Sequence, residues 1–171
     1  MKDKLTVAEA LQHARHDFLN KLQLIKINAD LGKTDRISGL IEEFAELAKV
    51  QSCLVRLGLP VTEEWLLTAG WRFPEFLVNV ECSGDRAPQE LDQQFTDFLE
   101  ALLIGITETC DMETETVCTV RLGAEQSLFK ITVLLNGHLP ALPSYPEDVL
   151  TVEQQQAEQD TIITVTAKLE G

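Results

Sequence analysis

The residue in this chain best suited to chemistry is His16, within Arg15-His16-Asp17-Phe18-Leu19-Asn20-Lys21-Leu22-Gln23. A neutral imidazole carries a ring lone pair at physiological pH. It needs no separate base to attack phosphorus, so a solvent-facing histidine suits reversible phosphoryl acceptance. Periodicity predicts that exposure. At about 100° per residue, Val7, Leu11, Ala14, Phe18, Leu22, Ile25 and Ala29 fall within roughly 80° of arc, a core-facing stripe. His16 lies about 160° from the centre of that stripe and shares its strip with Asn20, Gln23 and Ile27. A solitary histidine would ordinarily be a plain surface or core group, and only the company of these side chains lifts it above that.

The elements that must position this histidine are legible from caps and breaks. Thr6-Val7-Ala8-Glu9 has the form of a capping box and starts the first helix. Gly32 supplies the left-handed residue that ends it, and Thr34 or Asp35 caps the next. The second helix is predicted to run to about Leu57, with Ile37, Leu40, Ile41, Phe44, Leu47, Ala48 and Val55 on one side. A turn this short makes the two helices antiparallel. A lone hairpin has a single internal seam, so a homodimeric four-helix bundle is expected, the competing arrangement being a hairpin packed on its own C-terminal domain. Gly58-Leu59-Pro60 breaks the helix and is the predicted boundary, giving domains of 1–58 and 59–171. Beyond it come a short helix over Thr62–Trp71, a strand over Phe76–Cys82 and a long helix from Pro88 to about Cys110. Thr116–Leu122 and Ser127–Leu135 flank a hairpin at Gly123-Ala124-Glu125-Gln126, and Thr161–Leu169 closes the chain as a strand. Glu153–Gln159 is at best an exposed helix. The class is α+β, a helical hairpin followed by a two-layer sandwich.

Composition narrows the function classes. The 171 residues carry a formal charge of −14, which argues against nucleic acid as partner, because phosphate neutralisation needs clustered Lys and Arg. The charge is uneven: residues 1–56 hold nine basic against eight acidic side chains, and 57–171 hold five against twenty. Excess carboxylate is usually a solvated face, and here it would also turn an acidic phosphate-bearing partner toward the first half. No apolar run is long enough for a membrane span and the start does not resemble a secretion signal, so no membrane contact and a cytoplasmic location are expected. Cys53, Cys82, Cys110 and Cys118 show no C-x-x-C spacing, and three histidines make no plausible zinc set. The cysteines read as reduced, half-buried thiols.

Arg15-His16-Asp17, then Asn20, then Leu22-Gln23, resembles the phosphoacceptor box of the sporulation phosphotransferase B family. Citrate-sensor and peptide-pheromone-sensor histidine kinases share that hairpin. The likeness continues through Leu24-Ile25-Lys26, Asp35-Arg36 and Glu42-Glu43, and helix order and segment lengths extend it over nearly the whole chain. The resemblance implies that His16 is the phosphoacceptor rather than His13, which Ala14 and Arg15 follow in place of an acidic residue. It implies supporting or docking roles for Arg15, Asp17, Leu19, Asn20 and Gln23. The second half resembles a histidine kinase ATP-binding domain whose nucleotide motifs have degenerated. Leu102-Leu103-Ile104-Gly105-Ile106 stands where an L-L-x-N-A pattern would supply a metal-ligating asparagine. Val133-Leu134-Leu135-Asn136-Gly137-His138-Leu139-Pro140 has leucine where an adenine-reading aspartate would sit. No later G-x-G offers a phosphate cradle.

An ATP site needs all three features, so the resemblance implies a relay rather than a kinase. A phosphoryl group would arrive as the aspartyl phosphate of one response-regulator receiver and leave to the aspartate of a second, in sporulation initiation. No cofactor is expected on this chain, Mg²⁺ coming with the receiver. Two other classes stay open: a sensor histidine kinase core with a divergent ATP site, and a dimeric adaptor that binds receivers without chemistry.

Overall fold

The computed structural model describes residues 4–109, 116–137, 150–157 and 160–169. Two helices, α1 (Val7–Asp30) and α2 (Thr34–Leu57), precede α3 (Pro60–Arg72), β1 (Phe76–Cys82), a 3-10 turn at Gln89–Leu91 and α4 (Asp92–Thr109). Strands β2 (Thr116–Glu125), β3 (Leu128–Asn136), β4 (Thr151–Gln156) and β5 (Asp160–Lys168) complete the chain. The class is α+β, as the sequence predicts. Two compact units emerge, one over residues 2–52 and one from Cys53 onward.

In the first unit, α1 starts at the expected box: Glu9 N–H donates to Thr6 Oγ1 at 3.3 Å, and Thr6 N–H donates to a Glu9 carboxylate oxygen at 2.8 Å. Gly32, at φ 67°, turns the chain, and Lys33 N–H donates to the Asn28 carbonyl at 2.9 Å. Across the seam the Lys21 ammonium sits 5.0 Å from the centroid of the Phe44 ring, a cation–π contact.

The apolar stripe of α1 is where structure and expectation part. The half-buried positions of α1 are Ala10, Asp17, Lys21, Ile25 and Asn28. They centre about 75° round the helix from the stripe. Val7, Leu11, Phe18 and Leu22 remain 77%, 59%, 59% and 45% exposed, so most of the stripe is uncovered within its own chain. The reason is geometric: one helix neighbour can cover only a narrow strip of a cylinder.

The second unit builds its own core. The sheet order is β1-β2-β3-β5-β4, with β1 parallel to β2 and the other pairs antiparallel. Alternation sends Val120, Phe129, Ile131, Val133, Ile163 and Val165 to one face, each at most 1% exposed. Phe95 of α4 meets Phe129 with ring centroids 5.5 Å apart. The last turn of α2 belongs to this core through Cys53, Leu54 and Leu57, which are 4%, 2% and 1% exposed. Gly58 at φ 72° ends α2, and Pro60 then occupies the first turn of α3, so the proline starts a helix here as well as following one.

Two buried polar devices join α3 to α4. The Asp92 carboxylate accepts from Val61 N–H and Thr62 N–H, both at 2.8 Å, and so caps α3 from another helix. Glu100 accepts from Arg72 Nη2 at 2.7 and 2.8 Å and from Trp65 Nε1 at 2.6 Å.

Three other expectations change. Residues 151–156 form an edge strand where an exposed helix was the most that polarity suggested, because the free edge of β5 offers the backbone a ladder that local propensity does not. The β2–β3 hairpin turns tightly at Gln126, φ 57°, with the strands running on through Gly123 to Glu125. Cys53 and Cys82 are joined in a disulfide, Cα atoms 5.9 Å apart, and are not the separate thiols expected, because residues 29 apart in sequence become neighbours only when the chain from Cys53 onward folds into one unit. Cys118 is a buried free thiol, and Cys110 lies outside the described residues.

Candidate functional site

His16 sits on the third turn of α1 with 72% of its side chain exposed. The stripe angle predicted solvent, and solvent is where the ring is. Two neighbours meet its Nδ1: the Asn20 amide nitrogen at 3.2 Å and the Asp17 carboxylate at 3.4 Å. The hydrogen-bonded edge of the ring is therefore the Nδ1 edge, and Nε2 is the nitrogen on the far side from both partners. Asp17 is half-buried, between His16 and the seam positions, while Asn20 is exposed.

These two partners ask for opposite tautomers. The Asn20 N–H donates, so it needs a bare lone pair on Nδ1, which puts the ring hydrogen on Nε2. The Asp17 carboxylate accepts only, so it needs Nδ1–H, which leaves Nε2 with its lone pair. Nε2 is a nucleophile in the second state alone. An acid one residue on and an amide four residues on thus compete for the same ring nitrogen with opposite tautomer demands, a relation between Asn20 and the ring that spacing hinted at only as a shared strip.

The other residues singled out by sequence surround this centre without forming part of it. Arg15, Leu19 and Gln23 are all exposed, Leu19 at 50%. Gln23 follows two turns along the His16 strip, and Leu19 lies one turn on. Leu24 and Ile27, 47% and 54% exposed, extend the open surface of the same helix. His13 lies one turn beyond Glu9 and, after the Thr6 backbone and side-chain hydrogen bonds, adds the smaller part of what holds the Glu9 carboxyl below the usual carboxylate range.

In the second unit, Leu102, Leu103 and Ile106 of α4 are buried in the core, and Ile104 and Gly105 occupy the positions between them. Asn136, at the end of β3, uses its side-chain oxygen to accept from Val117 N–H at 2.6 Å. Residues 138–149, which follow β3 where a phosphate cradle would come, lie outside the described residues. Among the described residues no three His, Cys, Asp or Glu side chains gather as a metal-binding group. Nor is any helix among them long and apolar enough to cross a membrane.

Residues 1–57 match the family described as sensor kinase SpoOB-type, alpha-helical domain. Over 129 residues the chain is 32% identical to sporulation initiation phosphotransferase B of Bacillus subtilis (strain 168), spanning 75% of this chain and 67% of that one. The chain belongs to the sporulation phosphotransferase B family. A role in phosphotransfer within two-component signalling comes with that membership. Among solved structures, similarity extends to the histidine kinase domain of an Erythrobacter litoralis blue-light activated histidine kinase. That match has 14% identity and a TM-score of 0.46, covering 66% of this chain and 61% of that one. A bacterial phosphotransferase structure matches at 13% identity and a TM-score of 0.40, over 96% and 99% of the two chains. These likenesses concern general outline. Family membership rests on the sequence relative and on the helical domain.

Proposed function

We propose that this family member is a phosphorelay phosphotransferase: it takes a phosphoryl group from the aspartyl phosphate of one response regulator onto His16 and passes it to the aspartate of a second, in sporulation initiation. The observation that carries this proposal is the exposed His16 ring, engaged at Nδ1 by Asp17 and Asn20. In the forward step Nε2 attacks phosphorus in line, the P–O bond to the aspartyl carboxylate breaks, and the carboxylate leaves with the bonding pair. Positive charge that develops on the ring is met by Asp17 at Nδ1. Both phosphorylated species are high-energy, so the same geometry serves the return step to the second receiver. Arg15 is placed to approach the phosphoryl oxygens, and Leu19, Asn20 and Gln23 form the surface a receiver would meet. A divalent cation in the receiver's acidic pocket would neutralise phosphoryl oxygens in the transition state.

The reading includes a homodimer. The uncovered stripe of Val7, Leu11, Phe18 and Leu22 would be buried by a second hairpin, giving a four-helix bundle. His16 lies about 160° from that stripe, so pairing leaves it open.

Incubation with a panel of phosphorylated receivers tests the proposal. Wild-type protein is expected to take label, His16→Ala and His16→Gln to take none while keeping the wild-type circular dichroism, and Asp17→Ala to label at least ~10-fold more slowly. Label on His16→Ala overturns the site. Labelling from γ-labelled ATP without a receiver would make the protein a kinase, and receiver binding without label in either assay would make it an adaptor.

A further inference from the structure

We propose that Cys53 and Cys82 form a reversible thiol–disulfide exchange site for low-molecular-weight thiols and disulfides, with Cys82 as the attacked sulfur. Three observations carry this. The two residues are bonded, and their Cα separation of 5.9 Å needs no backbone movement for the bond to form or break. Access is unequal, Cys53 being 4% exposed and Cys82 half-buried. The dithiol state is also provided for, since Cys53 Sγ lies 3.6 Å from the carbonyl oxygen of Gly84, an acceptor for its S–H once the bond is open.

The chemistry balances as an exchange. A small thiolate attacks Cys82 Sγ, a mixed disulfide forms there, and Cys53 leaves as a thiolate that takes a proton from solvent. A second small thiol attacks the small-molecule sulfur of the mixed disulfide, releasing Cys82 as thiolate and the reductant as its own disulfide. Oxidation is the reverse, with a small disulfide as oxidant. The site fastens the last turn of α2 to the end of β1 across 29 residues of sequence. Cys118 does not compete, because burial pushes its thiol up to about 12 and leaves almost no thiolate at neutral pH.

The test uses the full chain carrying Cys110→Ser, equilibrated at graded ratios of reduced to oxidised glutathione, with alkylation and mass spectrometry reporting each cysteine. The expected result is a Cys53–Cys82 disulfide that forms and opens reversibly, Cys118 unmodified, and a Tm about 10 °C lower in the dithiol state, from the loop the bond closes. With Cys53→Ala, glutathione is expected on Cys82; with Cys82→Ala, Cys53 is expected to be glutathionylated at least ~10-fold more slowly. Two free, alkylatable cysteines in the most oxidising buffer overturn the proposal without any variant. Equal glutathionylation of the two single variants overturns the assignment of Cys82 as the attacked sulfur.

Discussion

The hairpin over residues 2–52 and the unit from Cys53 onward solve the burial problem in opposite ways. No residue of α1 is buried, whereas Phe73, Phe95, Phe129, Ile131, Val133, Leu135 and Ile163 are each fully enclosed in the second unit. One region keeps an apolar stripe at the surface and the exposed His16 ring on the opposite face of the same helix. The other encloses its apolar residues and keeps the cap at Asp92 and the Arg72–Glu100 pair inside. Hydrophobic stabilisation follows the area removed from water, so the second unit gains far more of it from its own contacts than the hairpin does.

The contrast can be broken at either end. Phe129→Ala removes a ring from the enclosed core and is expected to cost about 3–5 kcal/mol in chemical denaturation. A loss below 1 kcal/mol would mean that the sheet does not rest on this packing. Phe18→Asp with Leu22→Asp should leave the second unit's stability unchanged while weakening self-association at least ~100-fold in sedimentation equilibrium, by placing charges where a second copy would pack. Wild-type protein that sediments as a monomer at micromolar concentration would remove the need for a partner.

Smaller effects sharpen the same comparison. Asp92→Ala strips the cap from α3 and leaves two N–H groups unsatisfied, at a cost of about 2 kcal/mol in the same denaturation assay. The smallest effect belongs to the exposed cap at Glu9. Its folded carboxyl is held below its ordinary value, so its contribution is present above the ordinary carboxylate pKa of 4.5 and is lost as pH falls through the depressed folded value. Amide exchange at the start of α1 should quicken over that acid range in wild type, and Glu9→Gln should flatten the dependence.

Legibility from sequence followed the range of the physics. The capping box, Gly32, the two helices and the alternating strands are local signals, and they were readable because three to four residues decide each. The exposure of His16 was legible for the same reason, since helical spacing places it opposite the stripe. What spacing could not supply was which face of α1 its own hairpin covers: Val7, Leu11 and Phe18 have core periodicity and yet are exposed. Contacts between residues 29–35 apart were equally invisible, among them the Cys53–Cys82 bond, the Asp92 cap and the Trp65–Glu100 hydrogen bond. The edge strand at 151–156 is equally hidden, because its glutamines carry no strand signal and only the neighbouring backbone makes it one.

That edge has a consequence of its own. In many sheets an outermost strand invites another chain to add itself along the backbone and seed aggregation. Here the strand is six residues long, and Glu153, Gln154, Gln155 and Gln156 are all exposed, so an added strand would gain hydrogen bonds with almost no apolar burial and would meet a carboxylate. This edge is thus a poor template for sideways growth of the sheet, which disfavours fibrils as a competing fate of the folded protein.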